Sequence, residues 1–207
     1  MMPISGNGFL KRGFDIFLSS VGLLISLPLW VIISLLIKVE DGGPVLYRQE
    51  RIGRRGKIFK ALKFRSMIPD AEKHTGPVQA SRNDPRVTRV GRVLRKTAMD
   101  ELPQLVNILR GDMSFVGPRA LRPKEILQKG VNGKNGEIIR LEDISGFEER
   151  LKVRPGLTGL AQIFAPRDAH HHSKFRFDLL YVRKMNLWLD LYLIFQSFFI
   201  TFRARWE

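Results

Sequence analysis

The sequence predicts a helix-rich α+β fold, in which apolar helices near the two ends flank a basic domain that contains a small β-hairpin. Three observations lead to this prediction. The uncharged segment 16–37 is interrupted by Pro28. Two segments of partly alternating polarity follow within 45–67. A second apolar segment, 185–202, is rich in aromatic residues and has Asp190 as its only charge. The predicted units are a membrane-inserted segment at 1–40, a polar domain at 41–184 and a C-terminal amphipathic helix at 185–207.

The composition excludes several classes of protein. The chain of 207 residues carries 35 Lys and Arg against 20 Asp and Glu, a formal net charge of +15. Such a charge calls for an anionic partner, namely a nucleic acid, an anionic lipid headgroup or a phosphorylated substrate. There is no cysteine, so disulfides, thiolate zinc sites and cysteine nucleophiles are excluded. Apolar residues make up 44% of the chain, so a folded core is expected.

The N-terminal apolar segment is long enough to enter a membrane. Its 22 uncharged residues meet the length criterion for a spanning helix. Pro28 removes a backbone donor near the middle, which predicts a kink or a break. Basic residues flank both ends, whereas a spanning helix normally carries them on one side. We therefore expect a re-entrant helix–break–helix that enters and leaves by the same face. The alternative is a kinked helix that crosses the bilayer. A signal peptide is disfavoured because the apolar run is too long and no small-residue cleavage site follows it.

A β-hairpin and two short helices are expected next. Residues 45–52 and 57–67 predict the two strands, joined by the turn Arg54-Arg55-Gly56. A polar loop with three prolines follows at 69–85. Apolar residues recur on one side of 86–96, which predicts a helix. A second helix is predicted at 101–109, with a proline tolerated in its first turn.

An acidic pair, Asp100-Glu101, stands at the end of a strongly basic run. From 82 to 96 there are six cationic side chains against one anion, Asp84. Nearby opposite charge favours the ionised form of a carboxyl group. A carboxylate pair in such a field is typical of a site that attracts an anionic substrate and then attacks it or binds it through a metal.

Two glycine-rich loops, each with an arginine, are candidates for phosphate binding. Residues 111–119 end in Arg119, and residues 154–159 begin with Arg154. Glycine lets the backbone approach a ligand, and the arginine fork binds phosphate oxygens through two hydrogen bonds. Neither loop is a Walker motif or a dinucleotide fingerprint. The run His170-His171-His172 is a weak metal candidate, because adjacent histidines point in different directions.

The C-terminal apolar segment is expected to lie along the membrane surface. Only twelve uncharged residues follow Asp190 before Arg203, which is short for a membrane span. Aromatic residues and terminal arginines are typical of an interfacial helix. A second spanning helix is the alternative.

Taken in order, these motifs resemble the small monotopic phosphoglycosyl transferases. This is the bacterial sugar transferase family that loads a sugar phosphate onto a polyprenyl phosphate carrier. The resemblance covers about residues 11–200 and departs from the family pattern at Leu27, where serine is common, and at Ala120, where proline is common. It is carried by Lys11-Arg12-Gly13-Phe14-Asp15, Lys63-Phe64-Arg65-Ser66-Met67, Arg95, Asp100-Glu101-Leu102-Pro103-Gln104, residues 111–119, residues 154–159, Asp178 and Tyr181.

The resemblance implies that Asp100 is the nucleophile. It would attack the sugar-linked phosphorus of a nucleoside diphosphate sugar, and polyprenyl phosphate would then attack the phosphosugar intermediate. Mg²⁺ would neutralise the diphosphate, held by Asp100 and Glu101. Glu101 would alternatively assist proton removal from the acceptor, and the sequence does not separate these two roles. The residues assigned to substrate or phosphate binding are Lys63, Arg65, Arg95, Arg119, Arg154, Pro155, Gly156, Asp178 and Tyr181. For Lys63, Arg95, Arg119, Arg154 and Asp178, a structural salt bridge is the alternative.

The expected partners are a UDP-sugar, undecaprenyl phosphate and membrane lipids, with no nucleic acid. The expected location is the bacterial inner membrane, with the catalytic domain facing the cytosol; oligomeric state is left open, and a homodimer is one arrangement compatible with the sequence. Two other classes compete with this reading. One is a membrane-anchored nucleic-acid-binding protein, which should interleave basic and exposed aromatic residues, whereas here the aromatic residues concentrate in the apolar segments. The other is a noncatalytic membrane scaffold, for which the acidic pair would be dispensable.

Overall fold

A computed structural model of the chain describes residues 7–71, 84–123, 126–128, 138–140, 143–166 and 171–202. Helices dominate this part of the chain, as predicted. They are α1 (Asn7–Asp41), α2 (Arg89–Lys96), α3 (Gln104–Arg110), α4 (Phe147–Arg150), α5 (Leu160–Phe164), α6 (His171–Lys184) and α7 (Leu187–Phe202). The strands are β1 (Leu46–Ile52), β2 (Ile58–Phe64), β3 (Ser114–Val116), β4 (Ile126–Gln128), β5 (Ile138–Arg140) and β6 (Gly156–Thr158), and short 3₁₀ turns occupy Arg54–Gly56 and Met99–Glu101.

Helix α1 is the apolar helix expected near the N-terminus. Within the described residues it is the one helix long and apolar enough to cross a membrane, with a mean hydropathy of 2.4 in its most apolar window. The helix continues through Pro28, so the expected helix–break–helix is not confirmed. Ser26 donates to the carbonyl of Leu23 at 3.3 Å. Pro28 has no N–H, so the carbonyl of Leu24, four residues earlier, lacks its usual helical donor. Ser26 does not replace that donor.

One face of α1 packs against the rest of the chain along its length. Asp15, Ser19, Ile33 and Ile37 are buried, at intervals that place them on one side of a helix. The opposite side is apolar and exposed, and it includes Leu24 with 75% of its surface accessible. Leu, Ile and Val side chains in contact with water would be unfavourable, so this exposed face is a surface suited to lipid.

Both ends of α1 are bound to the same polar domain. Near the N-terminus, Arg12 donates to two carbonyls at the C-terminal end of α3, each at 2.7 Å. Near the C-terminus, Glu40 accepts a hydrogen bond of 2.6 Å from the backbone N–H of Arg89. There Asp41 also forms an ion pair with Arg65. The helix is therefore attached to the domain at both ends and along one side.

The predicted hairpin is present, and α3 packs against its open edge. Strands β1 and β2 pair antiparallel. The buried Asn107 of α3 accepts from the N–H of Leu62 at 2.9 Å and donates to the carbonyl of Lys60 at 2.9 Å. One carboxamide thus supplies the acceptor and the donor that a third strand would supply. This contact sets the position of α3 relative to the hairpin.

The C-terminal helices pack on the same domain. Tyr181 of α6 is buried, and its hydroxyl donates to the Asp190 carboxylate of α7 at 2.7 Å. Lys11 of α1 binds the other oxygen of that carboxylate at 2.6 Å. The outer side of α7 exposes aromatic residues, among them Trp188 at 82%. This pattern agrees with an apolar outer face on α7, and its placement at a membrane surface stays a prediction.

Candidate active site

The acidic pair lies in the 3₁₀ turn Met99–Glu101, between α2 and α3. Ala98, which precedes the turn, has φ of 55° and ψ of 16°, the left-handed conformation. Residues other than glycine adopt it at a cost of about 1 kcal/mol or more, and the surrounding structure must hold them in place. Pro103 follows the turn and caps the start of α3. The pair is therefore held in a tight connection between two helices.

Lys63 of β2 connects the hairpin to both carboxylates. Its ammonium group binds the Glu101 carboxylate directly and lies 4.0 Å from Oδ2 of Asp100. Burial raises the pKa of Asp100 to about 6, against the attraction of Lys63 and with a contribution from the charge of Glu101. Burial also acts on Glu101, but Lys63 and Arg119 outweigh it and lower the pKa of that carboxyl. The two carboxylates are therefore unequal, and Asp100 is the more basic of them.

A row of polar side chains on β1 belongs to the same face as Lys63. Tyr47 is directly opposite Lys63 in the antiparallel register, and Gln49 and Arg51 follow at alternate positions on that face. The Gln49 side-chain amide donates to the Tyr47 hydroxyl at 3.4 Å, and Arg51 donates to the Oε1 atom of the same amide. The positive charge of Arg51 also contributes to the low pKa of Glu101. This row was not predicted from the sequence, although the two-residue period counted from Lys63 across the hairpin indicates it.

The backbone that carries Arg119 is held at three consecutive carbonyls. Arg150 donates to the carbonyl of Arg119 at 2.7 Å. Arg51 donates to the carbonyl of Ala120 at 2.8 Å. The N–H of Ile52 donates to the next carbonyl, that of Leu121, at 2.9 Å. Arg119 itself is exposed, so its guanidinium projects from a fixed backbone.

Asp178 acts on this segment through Arg150. The two side chains are 2.9 Å apart, and each has 4% of its surface accessible. Burial raises the pKa of Asp178 to about 6, and Arg150 opposes the rise. The Arg150 guanidinium also lies 4.4 Å from the centre of the Phe175 ring. Asp178 was predicted to bind substrate, but its internal contacts indicate that it positions the Arg119 segment. Arg150 was not predicted at all.

The two glycine-rich loops form a single unit. Strands β3 and β6 pair in parallel. The N–H of Gly117 donates to Thr158, and the N–H of Gly156 donates to Pro118, both at 2.9 Å. A Cβ on Gly156 would lie 2.0 Å from the nitrogen of Gly117, so only glycine permits this approach. Pro155, which is buried, accepts from the backbone of β3. Pro155 and Gly156 therefore connect the loops through their backbones.

Two other predicted residues, Arg95 and Arg65, have different surroundings. Arg95 donates to the Ser66 hydroxyl at 2.9 Å, and its charge lowers the pKa of Asp100 against the effect of burial. Arg65 is buried and bound to Asp41, so its position indicates a structural clasp rather than a substrate contact.

Two further predicted residues lie away from the pair. Tyr181 is 1% exposed, and its hydroxyl bonds Val116 and Asp190, which indicates packing rather than the predicted contact with substrate. Arg154 donates to the carbonyl of Gly111 at 2.8 Å. Gly111 stands at the opposite end of α3 from the acidic pair, and a seven-residue helix is roughly 10 Å long.

The acidic pair fits a magnesium ion. Mg²⁺ in proteins is commonly bound by one or two carboxylates and completes its coordination with substrate phosphates and water. Asp100 and Glu101 supply two carboxylates on adjacent residues. Across the described ranges, no group of three or more His, Cys, Asp or Glu side chains is arranged to hold a metal ion. The expected role of the pair in binding Mg²⁺ stays a prediction.

Comparison with known proteins gives one family. A sequence model of the family described as "Bacterial sugar transferase" matches residues 6–204. The "Exopolysaccharide production protein ExoY" of Rhizobium meliloti (strain 1021) is 41% identical over 205 residues, covering 92% of this chain and 84% of that protein.

Two longer relatives carry enzyme names. The "UDP-glucose:undecaprenyl-phosphate glucose-1-phosphate transferase" of Escherichia coli (strain K12) is 41% identical over 207 residues, covering 97% of this chain and 42% of the relative. The "Undecaprenyl-phosphate galactose phosphotransferase" of Salmonella typhimurium is 38% identical over 210 residues, covering 94% and 41% respectively. The chain therefore spans about two fifths of these longer relatives.

Proposed function

Because this chain belongs to the bacterial sugar transferase family and is a transferase, we propose that it transfers a sugar-1-phosphate from a UDP-sugar to undecaprenyl phosphate. The observation that carries the proposal is the unequal carboxylate pair. Asp100 has a pKa of about 6 and stands beside Glu101, which is bound by Lys63. A basic carboxylate among cationic side chains suits nucleophilic attack on a phosphate group that is drawn in by charge.

In the first step, an Asp100 carboxylate oxygen attacks the β-phosphorus, which carries the sugar. The bond between this phosphorus and the oxygen that bridges the two phosphates breaks, and UMP leaves with the bonding electrons. The product is a phosphosugar linked to Asp100 as an acyl-phosphate. Covalent catalysis of this kind divides one difficult transfer into two easier ones.

In the second step, a phosphate oxygen of undecaprenyl phosphate attacks the same phosphorus. The acyl-phosphate bond breaks, the Asp100 carboxylate is regenerated and the sugar diphosphate lipid is released. Any proton on the acceptor phosphate must leave for this attack, either to solvent or to Glu101, which is adjacent but, with its lowered pKa, the weaker base of the pair. When bound by Asp100 and Glu101, Mg²⁺ would neutralise charge on the diphosphate.

The surrounding cations have separate roles in the proposal. Lys63 holds Glu101 and contributes positive charge between the two carboxylates. Arg119 projects from the fixed backbone segment and acts electrostatically on Glu101, which suits contact with substrate phosphate. Arg95 is anchored through its Nε to Ser66, so its terminal nitrogens are oriented by that bond. Asp178 binds Arg150, and Arg150 in turn holds the backbone carbonyl of Arg119.

We further propose that α1 inserts into one leaflet as a re-entrant segment, with the catalytic domain on the cytosolic side of the inner membrane. The described α1 is one continuous helix of 35 residues, so re-entry would require it to bend at Pro28, where the helical hydrogen bond is missing. Both of its ends bind a domain with a large positive charge, which would not enter hydrocarbon. Attachment at both ends of α1, at Arg12 and at Glu40, supports entry and exit by the same face. The exposed aromatic side of α7 supports an interfacial position for that helix.

The proposal is tested by product release. The purified full chain in detergent is incubated with Mg²⁺ and a panel of nucleotide-sugars, and nucleoside monophosphate is measured. We expect release with at least one UDP-sugar, and none with Asp100→Asn. Glu50→Gln, which removes an exposed carboxylate on β1, is the matched control and should retain release. No release from any donor would favour a scaffold, and release that survives Asp100→Asn would refute the assigned nucleophile.

The topology is tested separately. Tags at the two ends of the chain are exposed to protease in inverted vesicles. Digestion of both tags is expected for the re-entrant arrangement. Protection of one tag alone would indicate a helix that crosses the bilayer.

A further inference from the structure

Arg12 and Arg154 come from distant parts of the chain and meet at Gly111, at the C-terminal end of α3, and a third arginine, Arg54, is bound two residues before Arg154. Arg12 comes from α1, Arg54 from the hairpin turn, and Arg154 from the loop before β6. Each is oriented by hydrogen bonds to backbone carbonyls. Arg12 donates to Ile108 and Leu109 at 2.7 Å each, Arg154 donates through Nε to Gly111 at 2.8 Å, and Arg54 donates through Nε to Lys152 at 2.9 Å.

The positive charge of this group is not neutralised by an ion pair. Among the residues that the structure describes, no carboxylate oxygen lies within 4.0 Å of these three guanidinium groups. Two acids of the same region have other partners. Asp15 accepts from the backbone and side chain at 114–115, and Asp112 accepts from an α3 amide. Burial and the like charges of Arg12 and Arg54 lower the pKa of Arg154, against the attraction of Asp15, so both other arginines act electrostatically on Arg154.

Capping of α3 explains part of this arrangement. The last carbonyls of a helix attract cations, and Arg12 satisfies two of them. Capping does not explain why Arg54 and Arg154 gather there, since each uses only its Nε in a hydrogen bond. In the described part of the chain, the terminal amino groups of these two side chains have no hydrogen-bond partner. Donors that are oriented and unpaired, on side chains of like charge, are the arrangement that binds a phosphate oxygen cluster.

We propose that Arg12, Arg54 and Arg154 form a phosphate-binding site separate from the acidic pair. Helix α3 lies between the two, with the pair at its N-terminal end and the arginines at its C-terminal end. Arg12 precedes the apolar segment 16–37 by about one helical turn, so the site lies where that segment would leave the hydrocarbon. A phosphodiester of an anionic lipid headgroup and a soluble phosphate share the chemistry that this site recognises.

Binding is measured on the purified full chain in neutral detergent, by the shift of the thermal unfolding midpoint on titration. One arm uses short-chain phosphatidylglycerol, with short-chain phosphatidylcholine as the lipid without net charge. The other arm uses inorganic phosphate. Saturable binding of phosphatidylglycerol alone identifies a lipid headgroup site, and saturable binding of inorganic phosphate identifies a site for soluble phosphate. Either result supports the proposal, provided that it depends on the three arginines.

The variants Arg54→Gln and Arg154→Gln test whether binding depends on these arginines, and Arg55→Gln is the control. Arg55 is the exposed neighbour of Arg54, so Arg55→Gln removes the same charge from the same turn. We expect the dissociation constant to rise about tenfold in the first two variants and to change less than twofold in the control. Arg54 lies in the hairpin turn, so its variant keeps the test valid if Arg154→Gln does not fold.

Two results would overturn the proposal. One is the absence of saturable binding in both arms. The other is an equal loss of binding in Arg54→Gln and Arg55→Gln, which would show a response to net charge alone. No sugar donor or lipid acceptor is present in this measurement, so its outcome is independent of whether the chain transfers a sugar phosphate.

Discussion

Replacing Asp100 by asparagine should stabilise the protein at neutral pH while it removes the proposed nucleophile. Burial raises the pKa of Asp100 from the ordinary 3.8 to about 6. The folded chain therefore holds this proton more tightly than the unfolded chain, and ionising Asp100 costs folding free energy. At ~1.4 kcal/mol for each pKa unit, the difference corresponds to about 3 kcal/mol. Asparagine carries no charge and avoids this cost.

The gain in unfolding free energy of Asp100→Asn over the wild type should increase with pH and then level off. Below pH 3.8, Asp100 is protonated in both the folded and the unfolded chain, so the variant and the wild type should be equally stable. Between 3.8 and about 6, the unfolded chain ionises first and the difference grows. Above about pH 6 the difference is constant. Unfolding by denaturant in detergent, at several pH values from about 4 to 8, measures this curve.

Glu50→Gln is the control, because it removes an exposed carboxylate and should show no such curve. Transfer activity should fall as the pH drops through about 6, since protonated Asp100 is not a nucleophile. A stability difference that does not change with pH, or a variant less stable than the wild type above pH 6, would refute the claim that burial makes Asp100 basic.

Three further substitutions test the framework around the site. Arg150→Met leaves Asp178 buried without its cation, so we expect a loss of about 3–5 kcal/mol in denaturant unfolding, partly recovered in Arg150→Lys; an unchanged midpoint would contradict the buried pair. Asn107→Ala removes both bonds to the edge of β2 and should cost about 2 kcal/mol in denaturant unfolding. Asn107→Asp should cost more, because it buries a carboxylate against the carbonyl of Lys60 and the carboxylate of Asp112. Gly91→Ala places a Cβ 2.0 Å from a backbone carbonyl oxygen and should displace α2 with loss of activity, whereas Gly13→Ala, with nothing within 4 Å, should be neutral.

Local patterns were enough to predict the main elements. The strands expected at 45–52 and 57–67 are observed as Leu46–Ile52 and Ile58–Phe64. The second ends earlier because Arg65 turns away to bind Asp41. The helix expected at 86–96 begins at Arg89, after Thr88 caps it by accepting from the N–H of Gly91. These differences arise at the ends of elements, where capping and tertiary contacts decide the boundary.

The secondary structure around the acidic pair differs from the one predicted by local patterns. A helix was expected from 101, but Glu101 belongs to a 3₁₀ turn and α3 begins at Gln104, after Pro103. Proline has no N–H to donate and fixes its own backbone, so it stands at the start of the helix rather than within it. The sequence identified Asp100 and Glu101 as a site, because a charge pattern is visible along the chain.

The hydrogen bonds that hold the backbone at Arg119 could not be predicted in the same way. Arg51 and Arg150 are far from Arg119 in sequence and reach adjacent carbonyls of one segment only after the hairpin and α4 have packed. Each would be taken as an ordinary surface cation in a chain with 35 Lys and Arg. Arg154 illustrates the converse: the sequence makes its loop a candidate for phosphate binding, but tertiary packing sets its location near Gly111, at the end of α3 opposite the acidic pair.

The central claim is that Asp100 becomes covalently linked to the sugar phosphate. The most direct test incubates the full chain with a UDP-sugar in the absence of polyprenyl phosphate, quenches the reaction and locates the added group by peptide mass spectrometry. The account predicts a phosphosugar on the peptide that contains Asp100, formed together with UMP and lost when undecaprenyl phosphate is added. A phosphosugar on another residue, or transfer to the lipid by Asp100→Asn, would contradict it.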